Sequence, residues 1–392
     1  MKIQAIDAFA IRIPRDRVKA ERSAGSPTPM SVGDGRYGWS TVFPVLYAAD
    51  FETALIRITL DDGTVGWGEA QAPLAPEVVC TIVRVLLAPV LLNWDFTGSV
   101  QEIETIWVRM YATMRVRGQT GGFMLDAISG IDIALWDLAG KIQRKPVCAL
   151  IPGSRGRSSV TAYMSGVPGS SIAQRTANAL AYKAAGFGTF KLFYDCGREE
   201  FFGSVSELRK ELGDETAIAA DALWRLTPDD APEFGRELDR HNALWLEAPL
   251  QPEGAQAHAS LAGAIRTPLA IGESYRTRYE LAPFFAQRAM GFVQPDLGRS
   301  GLTESIRIAR LAAEHGMSVV PHLSIAMGPQ IAAAIHFAAA VPNCELLEFN
   351  PNVFEIANRF LVDPLVMRSA AYLVPQAHGL GADQTEIFYF TF

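Results

Sequence analysis

Residues 244–274 read LWLEAPLQPEGAQAHASLAGAIRTPLAIGES. The stretch opens on an apolar run ending near Glu247, passes through a longer connection, and returns to a second apolar run ending near Glu273. Short continuous apolar runs suit parallel strands that are buried on both faces. A carboxylate at the end of each is out of place in a core, because acidic side chains are almost never fully buried unless paired. The end of each strand therefore opens on something charged.

The same unit recurs in both directions. SVTAYMSG (159–166), TFKLFYD (189–195), AIAADAL (217–223), GFVQPDL (291–297), SVVPHLS (318–324) and ELLEFN (345–350) complete a set of eight short strands. Helical stretches separate them, such as TESIRIARLAAEHG (303–316), closed by a glycine suited to a helix C-cap. Eight strands alternating with helices imply parallel βαβ units, and that number predicts a closed barrel. Asp221, Glu247, Glu273, Asp296, His322 and Glu348 fall at or near strand C-termini, at intervals of 26, 26, 23, 26 and 26 residues. A near-constant interval is what one residue per βα unit gives. In a barrel those ends converge on one mouth, where active sites form. Lys191, in the middle of its strand, joins them.

The first part of the chain has another texture. Residues 1 to about 70 alternate as strands, and 77 to 145 read mostly as helices. In AISGIDIALWDLAGKIQRKP (127–146), Ile128, Ile131, Leu135 and Leu138 recur at helical spacing until Pro146 stops the pattern. This half reads as α+β.

Composition narrows the function classes. The chain has 392 residues and a net charge of −7, with no basic block of the kind that tracks phosphates, which argues against nucleic acid or a membrane surface as partner. The start, MKIQAIDAFAIRIP, lacks the pattern of a secretory signal. The longest uncharged stretch, 317–341, is interrupted by prolines and histidines and does not suit a membrane span. Cys80, Cys148, Cys196 and Cys344 lie far apart with no C-x-x-C, so buried thiols in a reducing, cytoplasmic setting are expected.

A single acid at a strand end commonly caps the next helix. Three on adjacent strands are different, because Asp221, Glu247 and Glu273 repel one another unless a cation neutralises them. Oxygen donors with positions left for water and substrate favour Mg²⁺ over Zn²⁺. Asp296 on the preceding strand is placed to hold one nitrogen of His322, which fixes the tautomer and turns the other nitrogen to the cavity as a base. Glu348 reads either as a cap or ion-pair partner, or as a buried carboxyl of raised pKa that donates to a substrate carboxylate. His241, His258, His315, His336 and His378 have no acidic partner at comparable spacing.

GWGEA (66–70), AISGIDIALWDLAGK (127–141), WLEAPL (245–250), IGES (271–274), VQPDLGRSG (293–301) and PHLS (321–324) together resemble the enolase superfamily, in its mandelate racemase and muconate lactonizing enzyme branch, essentially end to end. The resemblance implies a modified TIM barrel, (β/α)7β, with an α+β N-terminal capping domain. On this chain that gives 1–125 as capping domain with a lid loop, 126–350 as barrel, and 351–392 as a segment completing the cap. It also implies Mg²⁺ on Asp221, Glu247 and Glu273, an Asp296–His322 acid/base dyad, and Lys191 near the substrate carboxylate. A homo-oligomer acting on a small hydroxy acid is the corresponding expectation.

Members of this branch often carry Lys-x-Lys on the second barrel strand, the second lysine acting as a base opposite the histidine. Here the sequence is Lys191-Leu192-Phe193. A phenyl ring accepts no proton, so two-base racemisation is in doubt. One base suits abstraction of the α-proton followed by loss of a β-hydroxyl, the dehydration of an aldonic or aldaric acid to a 2-keto-3-deoxy acid. Arg17, Arg22, Arg36, Tyr37 and Trp39 lie in the segment that the resemblance makes a lid, and polar lid groups suit a sugar acid. The rival readings are an isomerase of the same superfamily, either a racemase/epimerase or a cycloisomerase, and a non-catalytic ligand-binding barrel. Asp221-Ala222-Leu223 feeds the last of these, because related sequences commonly show asparagine where Leu223 stands.

Overall fold

The computed structural model describes residues 1–15, 29–43 and 45–385. Arg17 and Arg22 of the expected lid lie outside them.

All eight barrel strands form where the apolar runs fall: Ser159–Ser165, Thr189–Phe193, Ala217–Asp221, Leu246–Glu247, Leu269–Ile271, Phe292–Val293, Ser318–Val319 and Leu346–Phe349. They pair in parallel from the first to the seventh, and the eighth pairs back onto the first. Between the seventh strand and the eighth, the Val319 N–H donates to the carbonyl of Asn343 at 2.8 Å. Seven helices connect the eight strands, from Ile172–Ala184 to Pro329–Ala340, so the architecture is (β/α)7β. The barrel interior is filled by Tyr163, Ala219, Trp245, Ala270 and Val320, all buried, with Tyr163 edge-on to Trp245. Every strand C-terminus is thus supported from below by a packed plug.

The cap is built on an antiparallel sheet of Ile3–Ile13, Phe51–Leu60 and Val65–Ala70, covered by helices that include Val100–Arg115 and Gly122–Gln143. The glycines of GWGEA permit the closest contact in this layer. A Cβ on Gly68 would lie 1.9 Å from the carbonyl oxygen of Gly130, so only glycine lets the strand meet the helix. Periodicity gave helix Gly122–Gln143 one apolar stripe, but every residue from Met124 to Gly140 is buried. Its three acids are spent inside the fold. Asp126 pairs with Arg276, Asp132 accepts from Thr303, and Asp137 accepts from the backbone N–H groups of Trp67 and Leu380.

The segment after Asn350 touches both bodies. Ile356, in helix Pro351–Asn358, packs with Ile11, Ile13, Phe51 and Leu55 of the cap, while Ala371–Leu373 adds antiparallel to the first barrel strand. A small second sheet, Met30–Val32, Tyr37–Trp39 and Leu46–Ala48, leans over the barrel mouth. Among the described residues no helix is long and apolar enough to cross a membrane.

Candidate active site

The barrel brings the seven singled-out side chains to its C-terminal mouth. Lys191 comes from the second strand, Asp221 ends the third, Glu247 ends the fourth, and Glu273 follows the fifth. Asp296 and His322 follow the sixth and seventh and are joined by a parallel bridge, and Glu348 lies on the eighth. Asp296 also caps helix Leu297–Glu314. Its Oδ1 accepts from the Gly298 N–H at 2.9 Å and from Gln330 Nε2 at 3.0 Å, while Oδ2 lies 2.7 Å from His322 Nδ1. The capping reading and the dyad reading of this residue are therefore compatible, one oxygen serving each.

Lys191 departs from expectation. Its ammonium is 1 % exposed and lies 2.5 Å from Glu247 Oε1, 3.0 Å from Glu348 Oε1 and 3.6 Å from Asp221 Oδ2. Its charge is explained first by three carboxylates of the chain itself, rather than by a substrate carboxylate. Burial disfavours the ammonium, but Glu247 and Glu348 outweigh it and hold the pKa well above the ordinary lysine value.

Glu348 takes the ion-pair position that its sequence reading allowed. It accepts from Ser165 Oγ at 2.5 Å, from the Leu323 N–H at 2.7 Å and from Lys191. Burial pushes the carboxyl up, yet Lys191 and His322 bring it below the usual value, which favours the ion-pair reading.

His322 Nε2, the nitrogen expected to face substrate, lies 2.7 Å from Glu273 Oε2. Burial opposes the imidazolium, but Glu273 and Glu348 hold it well above the ordinary histidine value. In return His322 lowers Glu273 to about 2, against the upward push of burial. The acidic trio thus rests in two groups: Asp221 and Glu247 turned to Lys191, and Glu273 turned to His322. As placed, among the described residues, no three His, Cys, Asp or Glu side chains converge tightly enough to hold a metal ion. The donor set nonetheless fits a hard cation by its chemistry. It is all oxygen, three carboxylates at the ends of adjacent strands, and burial followed by the charge of Glu247 raises Asp221 well above the usual carboxylate value.

Second-layer partners orient the trio. Glu247 Oε2 accepts from Trp245 Nε1 at 2.9 Å and Gln294 Nε2 at 2.7 Å, both missed in the sequence although 245 and 247 share strand parity. Where asparagine was expected, the Leu223 N–H donates to Asp221 Oδ1 at 2.9 Å. Leu223 and Trp224 both hold left-handed backbone angles, φ 53° and 54°. Consecutive non-glycine residues in that region carry strain of the kind found at functional sites.

Above this layer is a cavity of about 300 Å³. Ser40, Phe43 and Tyr47 of the overhanging sheet roof it, and Phe193, Asp195, Leu223, Ser324 and Asn350 come from the barrel mouth. Arg36 and Tyr37 do not reach it as expected of lid groups. Arg36 is ion-paired with Glu52 and Glu77, and the Tyr37 hydroxyl accepts from the Ala75 N–H and lies 3.3 Å from Glu52. Trp39 is 41 % exposed. The residues that sequence reading missed are Tyr47 and Asp195. Asp195 carried a signal, because 191, 193 and 195 share the parity of one strand.

Comparison with known proteins gives two family matches. Residues 46–152 match the mandelate racemase / muconate lactonizing enzyme N-terminal domain, and residues 174–387 match the enolase C-terminal domain-like family. The chain is 31 % identical to a D-galactarolactone cycloisomerase of Agrobacterium fabrum over 84 % of its own length and 88 % of the relative. It is 30 % identical to an arabinonate dehydratase of Saccharolobus solfataricus, over 84 % and 87 %. Among solved structures it superposes on an enolase-superfamily member from Agrobacterium tumefaciens with TM-score 0.92 and 30 % identity, covering 98 % and 97 % of the two chains. A racemase from Streptomyces coelicolor with bound magnesium gives TM-score 0.79 and 26 % identity over 97 % of each.

Proposed function

The chain belongs to the mandelate racemase and muconate lactonizing enzyme family of the enolase superfamily, and from that premise we propose that it is an acid-sugar dehydratase using Mg²⁺ and one histidine base. The substrate is an aldonic or aldaric acid and the product a 2-keto-3-deoxy acid. The observation that carries this reading is the 2.7 Å contact of His322 Nδ1 with buried Asp296, at the rim of the acidic trio, with Phe193 where a second lysine base would stand.

The chemistry follows from the side chains. A proton α to a carboxylate is too weakly acidic for an unaided base, because its removal puts two negative charges on one carboxylate group. Asp221, Glu247 and Glu273 would hold Mg²⁺, which would supply charge stabilisation that is larger for the enediolate than for the ground state. Asp296 fixes the His322 ring through Nδ1, so Nε2 is the nitrogen that takes the proton. Glu273 occupies that nitrogen. Glu273 would be one of the three residues holding the cation, and proton transfer from substrate requires Nε2 to be free of it. Lys191 then remains bound to Glu348 at 3.0 Å and supplies positive charge at the floor of the site.

An isomerase reading shares the first step and is supported by the cycloisomerase relative. Incubating aldonic and aldaric acids with the protein and Mg²⁺ in D2O separates the two. The dehydratase reading expects 2-keto acid formation that is abolished by a chelator. Deuterium exchange, inversion or ring closure at the α-carbon without loss of water would replace it with the isomerase.

A further inference from the structure

We propose that Asp195 is the acid that protonates the departing β-hydroxyl, from just past the end of the second barrel strand, the strand on which Phe193 displaces the expected lysine. This rests on the dehydratase reading.

Two side chains of one parity leave that strand in succession, and Asp195 follows two residues later, past its end. Lys191 points into the carboxylate layer, Phe193 lies over it with Lys191 Nζ 5.4 Å from the ring centre, and Asp195 opens on the cavity above. Phe193 is held there by the local backbone. Gly166 carries no side chain at a point where a Cβ would lie 2.4 Å from the ring, and its φ of +74° also favours glycine. Asp195, two residues past the end of that strand, is the ionisable group that this segment contributes to the lining of the cavity.

The carboxyl is placed for proton transfer. It is 21 % exposed, and among the described residues no side chain lies within hydrogen-bond distance of it. Arg175 Nη2 is 4.0 Å away, while its Nε and Nη1 donate to the Gly169 carbonyl and Ser204 and Nη1 lies 3.6 Å from Glu200. Burial raises the carboxyl above its ordinary value against the pull of Arg175, as an acid requires. Burial, then the charges of Asp221, Glu273 and Asp195, raises the Tyr47 hydroxyl across the same cavity above its ordinary value. His322 belongs to the seventh strand, with the first and eighth between it and the second. Base and acid thus come from well-separated positions around the barrel.

The step balances. His322 takes the α-proton and the electron pair of that C–H bond passes into the carboxylate as the enediolate; it then returns to form the Cα–Cβ double bond while the Cβ–O bond breaks and Asp195 gives its proton to the leaving oxygen. Water departs, leaving an enol that becomes the 2-keto acid.

The test compares Asp195→Asn with the unsubstituted protein on an aldonic acid that the latter dehydrates, and on its 3-deoxy-3-fluoro analogue, whose fluoride leaves without a proton. Dehydration is expected to fall about 10²- to 10⁴-fold, the usual contribution of a general acid. Fluoride release and α-deuterium exchange are expected to stay within a few-fold, which also reports an intact fold. An equal fall in all three rates, or undiminished dehydration, overturns the assignment. If the unsubstituted protein dehydrates no acid sugar, the proposed function fails, and this assignment with it.

Discussion

Glu69→Gln tests how the cap is latched to the catalytic rim. Glu69 lies on the third cap strand and is fully buried. Its Oε1 accepts from the Met327 N–H at 2.6 Å and from Thr53 Oγ1 at 2.9 Å, and its Oε2 lies 3.2 Å from the Gln330 N–H. The loop it holds also carries Ser324, which lines the cavity. Burial raises the carboxyl from 4.5 to about 7, against those hydrogen bonds. A folded-state pKa above the unfolded one means that the protonated carboxyl favours folding. Stability from this group is full below about pH 4.5 and is lost as pH rises through 7. Between pH 5 and pH 8 the loss integrates to about 2.5 kcal/mol, at 1.36 kcal/mol per unit. Glutamine does not titrate, and it leaves one backbone N–H short of an acceptor at a cost of about 1–3 kcal/mol at every pH. Urea unfolding of both proteins at pH 5 and pH 8 should therefore show the variant clearly less stable at pH 5, with the gap closing by about 2.5 kcal/mol at pH 8. A gap of equal size at both pH values would refute the reasoning, because it would mean that Glu69 is ionised throughout.

Lys191→Met leaves Glu247, Glu348 and Asp221 without their ammonium and should cost about 3–5 kcal/mol in chelator; Mg²⁺ should raise its melting temperature more than that of the unsubstituted protein, and an unchanged melt in chelator would contradict the ion-pair account. Gly68→Ala forces a methyl group against the Gly130 carbonyl and should destabilise by about 3 kcal/mol or more, read by thermal unfolding; a loss under about 1 kcal/mol would show that strand and helix separate easily.

The eight strands were legible because each apolar run ends in a polar group and the interval between those groups barely changes. Carboxylates have no reason to recur every 26 residues unless the fold gathers them. What the sequence concealed is which neighbour each group meets. Parity puts Lys191 on the inner face, but that Glu247 and Glu348, 56 and 157 residues further on, neutralise it depends on the closure of the barrel. Arg36 looked free for a substrate until folding placed Glu52 and Glu77 beside it. Helix Gly122–Gln143 showed one apolar stripe, because its acids, each satisfied inside the fold, read as a solvated face. Asp195 lies beyond the last ladder residue of its strand, and Phe193 drew the attention that belonged two positions on. Tyr47 reaches the cavity only because a small three-stranded sheet leans over the mouth, and no local pattern encodes that lean.

The most direct test of the account is His322→Asn, measured with Mg²⁺ in D2O on an acid sugar that the unsubstituted protein dehydrates. The account predicts an unchanged circular dichroism spectrum, no 2-keto acid and no α-deuterium incorporation. Dehydration at anything near the original rate would show that His322 is not the base and contradict the account.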